Sequence, residues 1–493
     1  MPSTTTTSKS VDFKELLSHS KEYGFVFPSS ELYDGLSAVY DYGQVGALLK
    51  ANLKNLWWKT MTQFHDNVVG IDSSIFMHPT IWKASGHVDS FNDPMVDNRD
   101  SNKRYRADVL IEEKAAEYEA AGNQEAAKAI IKILVDGLTS GDLASIRQAL
   151  IDHKIVCAVS GTANWTDVRQ FNLMFSTQIG SVSEESDLIY LRPETAQGIF
   201  VNYLNVQKTG RMKVPFGIAQ IGKAFRNEIV ARQFIFRMRE FEQMEMQFFI
   251  RPGTEDTWYA MWKEQRMKWH LALGINPAHL RYHDHDKLAH YAKAAVDIEY
   301  KFPFGFKEME GIHSRSDFDL KRHQEFSGKK IQYFDPEINQ NYTPFVIETS
   351  VGADRLFLAV LAEAFTKTTT TEEDGSTKER TYLDFAPPIA PIKAAILPLV
   401  KKDGLAEYAR NIFQDWKFDF ECQYEEKDSI GKRYTRQDLI GTPFCVVVDY
   451  DSMADGSVTI RQRNDGSQTR KSIAEAKQYI AEATSVKNIL KLL

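Results

Sequence analysis

The sequence predicts an α+β fold with a large body on an antiparallel sheet, a helical insertion within that body, and a small α/β domain at the end of the chain. Three observations predict it. Short β-rich runs alternate with turns over residues 188–249, as in an antiparallel sheet. Residues 109–150 are rich in Ala, Glu, Lys and Leu, which is a helical composition. After residue 384, strands alternate with helices, which is typical of an α/β domain of about 110 residues.

The composition is that of an ordinary globular protein. The 493 residues are 43% hydrophobic and 26% charged, and the net charge is −7. A chain that held nucleic acid over its whole surface would be basic, so RNA binding requires local basic patches, and DNA is not expected as a partner. No apolar run approaches the ~18 residues of a membrane span, so no membrane partner is expected. Composition alone favours an enzyme that acts on small molecules.

The start of the chain and the cysteines indicate a cytoplasmic location. Residues 1–20 open on a Ser/Thr-rich stretch without the apolar core of a signal peptide, and we expect them to be disordered. Cys157, Cys422 and Cys445 form no CxxC pair and no disulfide framework. A reducing compartment fits this pattern, and a zinc site built on cysteines does not.

The body is predicted over residues 21–365. It opens with an amphipathic helix over 44–63 and a strand over 68–77. Trp57 and Trp58 are adjacent in that helix and cannot both face one core, so we predict that a second copy covers an apolar surface and that the protein is a homodimer through residues 44–79. Residues 98–160 are predicted as a largely helical insertion. Further helices are expected at 255–272 and 285–297.

A polar segment separates the body from the final domain. Residues 366–380 have almost no apolar content, so 366–383 is predicted to be a mobile loop or linker. Residues 384–493 form the predicted α/β domain. Its strands are expected at 392–400, 420–424, 443–449 and 458–463, and its helices at 405–416, 430–439 and 472–492.

Two strand-like runs place Arg, carboxylate and aromatic side chains on one face. The first is FRNE at 225–228, and the second is FRMREFEQME at 236–245. Side chains two apart on a strand share a face, so Arg226 and Glu228 point the same way, as do Phe241 and Glu245, while Met244 faces the other side. Solvated surface strands are the alternative. The clustering favours the floor of a site for a ligand with phosphate and purine groups, because Arg grips phosphate with a planar fork.

Three further segments carry candidate chemistry. FVIETSVGADR, residues 345–355, places Glu348 and Ser350 on one strand face and Arg355 in the first helical turn, where anions are favoured. A buried strand that feeds a core helix, with Gly352 only a turn residue, is the alternative there. In LRPETAQG, residues 191–198, Glu194 lies near a helix start and could be a cap. Residues 308–320 are predicted as a polar loop that ends at a strand-like DFDL, with a solvated loop as the alternative.

In this order the segments resemble the motifs of class II aminoacyl-tRNA synthetases. FRNE with REFEQME resembles motif 2, VGADR resembles motif 3, and residues 44–79 resemble motif 1, the dimer-forming element. PSSELYDGLSAVYDYG (28–43), SGHVDSFNDPMVD (85–97), YLRPETAQGIFVNY (190–203) and PFGIAQIGKAFRNE (215–228) are similar to glycyl-tRNA synthetases of the homodimeric type. SIGKRYTRQDLIGTPFCVVVD (429–449) resembles the anticodon-binding domain shared by the glycyl, threonyl, prolyl and histidyl enzymes. The resemblance runs from about residue 23 to the end and is weakest at 98–160 and 366–380.

The resemblance implies a class II catalytic domain over 21–365 and an anticodon-binding domain over 384–493. It implies a ligase that activates glycine with ATP to glycyl-adenylate and pyrophosphate, and then transfers glycine to the 3′-terminal adenosine of tRNA(Gly). The implied cofactors are ATP and Mg²⁺, with Glu308 and Glu348 as candidates to hold the metal. Some bacterial relatives carry a Cys pair where this chain has Asn98 and Ser101, so no zinc is expected.

The resemblance also implies residue roles in ATP binding. Arg226 would contact the α-phosphate and the glycine carboxylate, and Arg355 the adenine face and the γ-phosphate. Both are the implied catalytic residues. Phe241 would stack on adenine, and Glu228 would read its amino group. The full implied ATP-binding set is Arg226, Asn227, Glu228, Phe236, Arg237, Arg239, Phe241, Glu308, Met309, Gly352, Asp354 and Arg355.

For glycine, the candidates to bind the ammonium group are Glu194, Glu245 and Glu348. Three like charges in one pocket raise each other's pKa, and Arg315, Arg106 and the ammonium group are expected to offset them. Ser350 and crowding near the substrate Cα would exclude alanine by steric clash. The full implied glycine-binding set is Arg106, Glu194, Phe241, Gln243, Glu245, Arg315, Glu348 and Ser350.

For tRNA, the densest basic cluster lies in the final domain. We predict that Arg433, Arg436, Arg461 and Arg463 contact RNA, although a solvated face is the alternative for any one of them. Synthetase-like folds also serve as non-enzymatic partners, but those usually lose the arginines that correspond to Arg226 and Arg355. Another amino-acid specificity in the same subclass is a further alternative. The three glutamates, without an obvious side-chain pocket, favour glycine.

Overall fold

The computed structural model describes residues 4–9, 11–179, 188–229, 233–285, 293–371, 374 and 376–493. The chain forms two compact units. The main unit comprises Met1–Ile75, Glu194–Ala224 and Ala231–Leu493, and the insertion unit comprises Phe76–Pro193 and Phe225–Val230. None of the described helices is both long and apolar enough to cross a membrane.

The elements follow one another as mixed strands and helices. The described strands are β1 Thr4–Ser8, β2 Val26–Pro28, β3 Tyr40–Tyr42, β4 Val68–Gly70, β5 Asn92–Asn98, β6 Lys103–Arg106, β7 Arg169–Asn172, β8 Ser176–Gln178, β9 Leu188–Tyr190, β10 Phe216–Phe225, β11 Glu240–Ile250, β12 Leu280–Asp284, β13 Ala294–Phe302, β14 Gly305–Ser316, β15 Tyr333–Asp335, β16 Gln340–Tyr342, β17 Phe345–Gly352, β18 Phe365–Thr371, β19 Thr377–Leu383, β20 Ala394–Pro398, β21 Cys422–Tyr424, β22 Phe444–Val448, β23 Ser457–Gln462 and β24 Gln468–Ser472. The described α-helices are α1 Phe13–Glu22, α2 Gln44–Lys59, α3 Pro79–Ala84, α4 His87–Ser90, α5 Ala107–Ala120, α6 Gln124–Ser140, α7 Leu143–Asp152, α8 Ala196–Thr209, α9 Glu255–Ala272, α10 Phe318–Ser327, α11 Ala353–Ala364, α12 Leu405–Trp416, α13 Ile430–Ile440, α14 Tyr450–Asp455, α15 Ile473–Ala483 and α16 Lys487–Leu490.

The main unit is built on a seven-stranded sheet in the order β12-β13-β14-β17-β11-β10-β4. The pairings from β12 through β14 to β17 and β11 are antiparallel, and β4 joins β10 in parallel. Along β11 the side chains alternate as predicted: Met244 and Met246 are buried in the core, and Glu245 between them faces the other side. The mixed fold with an antiparallel sheet is thus confirmed.

Helix α2 packs on the core of its own chain. Trp57 is completely buried, and the neighbouring Trp58 is half-buried against the same core and lies so close to Gly70 that a Cβ there would meet its ring at 2.2 Å. The argument that Trp57 and Trp58 need a second copy to cover them is therefore wrong. The helix turns into a π-helical stretch at Thr60–Phe64, and the strand predicted over 68–77 is only Val68–Gly70.

Two sequence predictions in the main unit are wrong in type. The helix expected at 285–297 is replaced, in its described part, by the start of β13 at Ala294, while residues 286–292 lie outside the described residues. The segment predicted as a polar loop is strand β14 up to Ser316, and DFDL opens helix α10. Tertiary pairing decides both cases, because β13 and β14 pair with each other along their length.

The ends of the body are more ordered than the sequence predicted. Residues 366–383 form the antiparallel hairpin β18–β19 rather than a mobile linker, and residues 372, 373 and 375 near its turn lie outside the described residues. Strand β1 pairs with β18, and α1 follows, so residues 4–20 are not disordered where they are described. β-Branched threonines on both β1 and β18 suit such pairing despite their polarity.

The final domain has the predicted α/β alternation. Its sheet runs β21-β20-β22-β23-β24, with β20 parallel to both β21 and β22. Helix α12 has the predicted bounds, and the other predicted elements shift by a few residues. The sequence prediction missed β24, a short polar strand at Gln468–Ser472, and the final predicted helix is two helices, α15 and α16.

The insertion unit is largely helical, as predicted, with α5, α6 and α7 around a core that includes Ile130, Ile146 and Trp165. Asn98 is a fully buried hydrogen-bonding centre beside it. Its Oδ1 accepts from the Oγ of Ser101 (3.1 Å) and of Ser160 (2.9 Å), and its Nδ2 donates to the carbonyl of Thr162 (3.1 Å). The Oγ of Ser101 also lies 3.2 Å from the Sγ of Cys157. Polar bonds therefore tie the two chain turns at 98–101 and 157–162.

We expect the Asn98→Ala variant to loosen the insertion unit. Removal of the amide takes away the hydrogen bonds that it makes with Ser101, Ser160 and Thr162, and the free energy of unfolding of this unit should fall by roughly 2–3 kcal/mol. Hydrogen exchange of helices α5–α7 measures the change. The control is Asn164→Ala, since the Asn164 amide donates to the exposed Asp100. Equal exchange in the two variants would contradict a central role for Asn98.

Candidate active site

Three acidic side chains meet at one end of the central sheet. Glu245 on β11 is 2% exposed and Glu348 on β17 is 5% exposed, and the two strands pair with Glu245 opposite Ser350. Glu194 immediately precedes the turn into helix α8 and is half-buried. The side-chain amide of Gln197 donates to Glu194 (2.9 Å) and to Asp319 of α10 (3.1 Å). The structure thus places the three glutamates that the sequence singled out in one electrostatically coupled cluster.

Two basic side chains of β14 hold Glu348. The guanidinium of Arg315 donates to Glu348 at 2.9 Å and to both oxygens of Asp319 at 2.9 and 3.0 Å. The Nδ1 of His313 lies 2.7 Å from the other oxygen of Glu348. Burial opposes ionisation of Glu348, but Arg315 and His313 outweigh it and lower the pKa of this carboxyl. Burial alone would lower the pKa of His313, but its hydrogen bond to Glu348 raises it.

Glu245 has a different environment. Its oxygens accept hydrogen bonds from the hydroxyl of Thr195 and from the side-chain amide of Gln247 (2.7 Å). The same amide nitrogen of Gln247 donates to Glu348 at 2.6 Å, so one group bridges two carboxylates. Burial, followed by the charges of Glu348 and Glu194, raises the pKa of Glu245 well above its usual range.

The sequence analysis missed several of these partners. Gln247, Thr195, His313 and Asp319 were not among the candidates, yet each bonds to a predicted residue. Strand periodicity was the available signal for two of them, because Gln247 lies two residues from Glu245, and His313 two residues from Arg315. The position of Asp319 depends on helix α10, which was predicted as a strand.

Gln243 and Ser350 line the same strand faces as the acidic cluster. The Oε1 of Gln243 accepts from the backbone N–H of Thr195 (3.2 Å), and its Nε2 donates to the hydroxyl of Ser350 (3.3 Å). Both side chains are half-buried. A small hydroxyl side chain held by a bonded amide gives this part of the pocket a fixed wall.

Arg355 lies beside an aromatic and an acidic group. Its guanidinium lies 4.4 Å from the ring centroid of Phe236 and 2.9 Å from the carboxylate of Glu308, whose side chain is 49% exposed. The neighbouring Glu310 is completely buried and bonded to Arg266 and His270 of α9. A shift in the β13–β14 pairing lets Glu308 and Glu310 point to opposite sides. Arg355, Phe236 and Glu308 therefore form a second cluster in the main unit.

The side chains of two residues of the predicted ATP-binding set have structural roles. The carboxylate of Asp354, 2% exposed, accepts from the hydroxyl of Tyr42, from Lys50 (2.6 Å) and from the backbone N–H of Glu242 (2.8 Å). The side chain of Met309 is buried in the main core. Neither side chain is available to a ligand, so the predicted ATP contacts of Asp354 and Met309 are left to their backbone atoms. Gly352, also in the set, is the N-cap residue of α11, which carries Arg355.

Other predicted residues are placed separately. Arg237 is exposed, Phe241 is half-buried against the main core, and Arg239 donates to the carbonyl of Ser37 (3.2 Å). In the insertion unit, Arg226 donates to the carbonyl of Pro193 (3.1 Å) with its guanidinium 5.5 Å from the ring of Phe91. The contacts of Arg226 with Pro193 and Phe91 lie within the insertion unit, and they hold the chain in place just after β10 ends.

The remaining predicted residues of the insertion unit also have local partners. Arg106 forms ion pairs with Asp108 (2.5 Å) and Asp93 (3.3 Å). The backbone N–H of Asn227 donates to Leu173, and that of Glu228 to the carbonyl of Arg226. Arg106 is therefore paired with carboxylates of the insertion unit, and Arg315 and His313 are the basic groups of the main unit that bond to the acidic cluster.

The basic residues predicted to contact tRNA are mostly internal. Arg433, Arg461 and Arg463 are 2%, 8% and 3% exposed. Arg433 donates to the carbonyls of Pro398 and Leu399. Arg461 pairs with Asp438, and Arg463 with Asp384 and the carbonyl of Phe385. Their guanidinium groups are engaged inside the protein, so the prediction that these three contact RNA is wrong.

Arg436 is the exception among these four, since its side chain is 39% exposed while paired with Glu425 and Asp428. On the same helix, α13, Lys432 is exposed. Among the described residues, no group of three or more His, Cys, Asp or Glu side chains has the arrangement of a metal site.

Comparison with known proteins identifies relatives along nearly the whole chain. Residues 175–364 match the tRNA synthetase class II core domain (G, H, P, S and T), residues 93–136 and 121–173 match the glycyl-tRNA synthetase insertion domain 1, and residues 393–483 match the anticodon binding domain. A glycine–tRNA ligase of Chlorobaculum tepidum is 50% identical over 471 residues, which cover 95% of this chain and 99% of the relative. The glycine–tRNA ligase of Staphylococcus haemolyticus is 50% identical over 477 residues, 96% of this chain and 98% of the relative.

The ion pairs around Asp354 generate a prediction about the helix that carries Arg355. Lys50 bridges Asp354 (2.6 Å) and Glu242 (2.8 Å) with its side chain only 11% exposed. Lys50→Met leaves two buried carboxylates without their shared cation, so the free energy of unfolding should fall by about 3–5 kcal/mol. Lys54→Met is the control, since Lys54 is more exposed and contacts only Glu242 in this cluster. Urea titration of both variants measures the difference, and equal losses would contradict the role of Lys50.

The same cluster predicts acid sensitivity. Burial works against ionisation of Glu242, but Lys50 and Lys54 lower its pKa from 4.5 to about 2. The stability that depends on ionised Glu242 is therefore fully present above about pH 4.5 and is lost as the pH falls toward about 2. Stability measured against pH should decline less steeply in that window for Lys50→Met than for the unmodified chain.

Proposed function

Because the chain belongs to the glycine–tRNA ligases and has a class II synthetase core, we propose that its acidic cluster binds the ammonium group of glycine while the Arg355 cluster binds ATP. The protein is an aminoacyl-tRNA synthetase. It joins glycine to tRNA in an ATP-dependent reaction. The observation that supports the assignment of the glycine pocket is the cluster of the buried Glu245 and Glu348 with the half-buried Glu194, beside Ser350.

In activation, a carboxylate oxygen of glycine attacks the α-phosphorus of ATP, the bond from that phosphorus to the bridging oxygen breaks, and pyrophosphate leaves. No general base is needed, because the attacking carboxylate is already ionised. Both reactants are anions, so positioning and fixed positive charge carry the catalysis. We assign Arg226 to the α-phosphate and the glycine carboxylate, and Arg355 to adenine and the γ-phosphate. These assignments rest on the motif resemblance.

Glycine selection follows from the shape and charge of the pocket. Carboxylates attract the ammonium group, and the hydroxyl of Ser350, held by Gln243, occupies space that a substrate methyl group would need. A fixed wall excludes a larger substrate more strongly than a missing methylene would reduce binding. We propose that this wall, with Glu194, Glu245 and Glu348, distinguishes glycine from alanine and serine. Arg315 fixes Glu348 and need not contact the substrate for this.

The ATP cluster fits a nucleotide in two respects. The guanidinium of Arg355 lies over the ring of Phe236, and an Arg that contacts an aromatic face in this way can also cover a purine. Glu308 is the carboxylate of this cluster that reaches solvent, so we propose that it contacts the Mg²⁺ that accompanies ATP, which neutralises phosphate charge. Glu348 is bonded to His313, Arg315 and Gln247 within the acidic cluster, so we assign it to the glycine pocket and not to the metal.

For tRNA, we propose that the anticodon-binding domain uses the outer face of α13. Lys432 is exposed and Arg436 partly so, and both can reach phosphate without leaving a buried pair.

We also propose a homodimer and a cytoplasmic location. The family resemblance of the motif 1 region supports the dimer, and the exposed Leu32 and Tyr33, at 88% and 82%, offer apolar surface for it.

The test is ATP–pyrophosphate exchange measured with each amino acid. Exchange should depend on glycine and not on alanine or serine, because in the proposed pocket Ser350 occupies the space that a substrate side chain would need. Equal exchange with serine would overturn the glycine pocket. In Ser350→Ala, loss of one oxygen leaves about the volume of a methyl group, so exchange with alanine should rise relative to glycine. Thr349→Val, altered on the opposite strand face, is the matched control.

Arg355→Ala separates the two clusters in the same assay. It should lower exchange by several orders of magnitude, since a phosphate-binding Arg in a desolvated site contributes on the order of 3–5 kcal/mol to the transition state. The ratio of glycine to alanine exchange should stay unchanged. A near-normal rate in the folded variant would place ATP elsewhere.

A further inference from the structure

Glu245 and Glu348 are neighbours on paired strands but have partners of different charge. We infer that Glu245 carries a proton until an amino acid binds, and that the substrate ammonium group then takes the place of that proton. The inference rests on the proposed glycine pocket. It concerns how a pocket with several carboxylates can exist before its cationic ligand arrives. Glycine binding would then be an exchange of one cation for another rather than the filling of a ready-made anionic site.

The first step concerns the two cations of the cluster, Arg315 and His313, which already bond to other carboxylates. Arg315 divides its guanidinium between Glu348 at 2.9 Å and Asp319 at 2.9 and 3.0 Å. His313 lies 2.7 Å from Glu348. Both groups are buried or nearly so, and both stabilise Glu348 as an anion.

The second step is the set of groups around Glu245. Its hydrogen-bond donors Thr195, ahead of α8, and Gln247, on its own strand, are neutral. The charged groups that face it are Glu348 from β17, Glu194 from the segment before α8, and Arg315 from β14. Arg315 favours the ionised form of Glu245, while burial and the charges of Glu348 and Glu194 favour the protonated form.

The distribution of charge explains why one carboxyl should stay neutral. The cations Arg315 and His313 bond to Glu348 and Asp319, while Glu245 accepts hydrogen bonds from the neutral side chains of Thr195 and Gln247. Like charges held in one buried site push one pKa up while another stays low. Glu245 has neutral hydrogen-bond donors and is only 2% exposed, whereas Glu194 is half-buried, so Glu245 is the carboxyl that keeps the proton. Burial and the neighbouring carboxylates raise its pKa accordingly.

The surroundings can hold that proton without rearrangement. A hydroxyl both donates and accepts, so Thr195 can accept a hydrogen bond from the protonated Oε2 of Glu245 in the position where it now donates. Gln247 acts as a positioning residue, because its amide nitrogen donates to both Glu245 (2.7 Å) and Glu348 (2.6 Å) and so holds the two carboxyls close together. An ammonium group with three donors can then contact the carboxylates together.

The proton balance is simple. Glycine enters as a zwitterion, its ammonium N–H groups donate to the ionised Glu245, and the proton of Glu245 leaves to solvent. No covalent bond to carbon or phosphorus changes. Binding therefore releases one proton for each glycine whenever Glu245 is protonated beforehand. The proton competes with glycine, so at pH values below the pKa of Glu245, KM for glycine should rise about tenfold for each unit by which the pH falls. KM for ATP should not change in this way.

The experiment is calorimetric titration of the full-length enzyme with glycine in buffers of different ionisation enthalpy, at pH values from about 6 to 8, where glycine is a zwitterion. The difference in heat between buffers counts the protons released. We expect close to one proton per glycine at the lower pH values. Glu245→Gln keeps the shape but has no proton to lose, so its count should fall to zero and its affinity should drop. Glu363→Gln, a buried carboxyl bonded to His279 and Tyr300 outside the cluster, is the matched control and should release as many protons as the unmodified enzyme.

Gln247→Leu tests the positioning role. It should raise KM for glycine far more than KM for ATP and should shift the pH at which KM for glycine changes, which a loss of folding alone would not do. Glycine binding without proton release, with affinity still lost in Glu245→Gln, overturns the inference and leaves the pocket assignment standing. Proton release that persists in Glu245→Gln overturns the inference as well. Unchanged glycine affinity in Glu245→Gln overturns both the inference and the proposed glycine pocket.

Discussion

The ion pair between Arg315 and Glu348 is the constraint on which the rest of the pocket depends. A buried charge costs several kcal/mol in lost solvation, and one guanidinium that serves Glu348 and Asp319 compensates two carboxylates at once. The pair joins β14, β17 and α10, so these elements must pack in one register for the charges to be satisfied. Strand pairing and electrostatics thus specify the same geometry, and His313 adds to it from the same strand.

Strand periodicity made much of the site predictable. Alternation along β11 and β17 placed Glu245 and Ser350 opposite the apolar residues, and the structure agrees because one face of each strand is buried in the core. Periodicity failed where the pairing is irregular. At the shift in β13–β14, Glu308 and Glu310 separate, and no sequence pattern shows that shift. The role of Asp354 likewise depends on Tyr42 and Lys50, which lie over three hundred residues away in the sequence.

The basic residues of the final domain show why charge in a sequence does not identify a binding surface. Arg463 and Arg461 read as a basic patch, yet their long side chains reach Asp384 and Asp438 inside the protein. Asp438 is also bound by Arg380 of the hairpin β18–β19. Ion pairs from Arg380 to Asp438 and from Arg463 to Asp384 therefore hold the segment between the body and the final domain against the final domain. A polar composition predicted a mobile linker there because the charges that satisfy it are distant in sequence.

The pairing of β1 with β18 has a consequence for how the protein is made. Thr6 contacts Thr369, a partner 363 residues further along the chain. At the usual speed of translation, on the order of half a minute passes between the synthesis of these two strands. During that time β1 has an open edge of backbone groups and no partner in the nascent chain. The N-terminal strand therefore closes onto the protein late, after most of the body that separates it from β18 has left the ribosome.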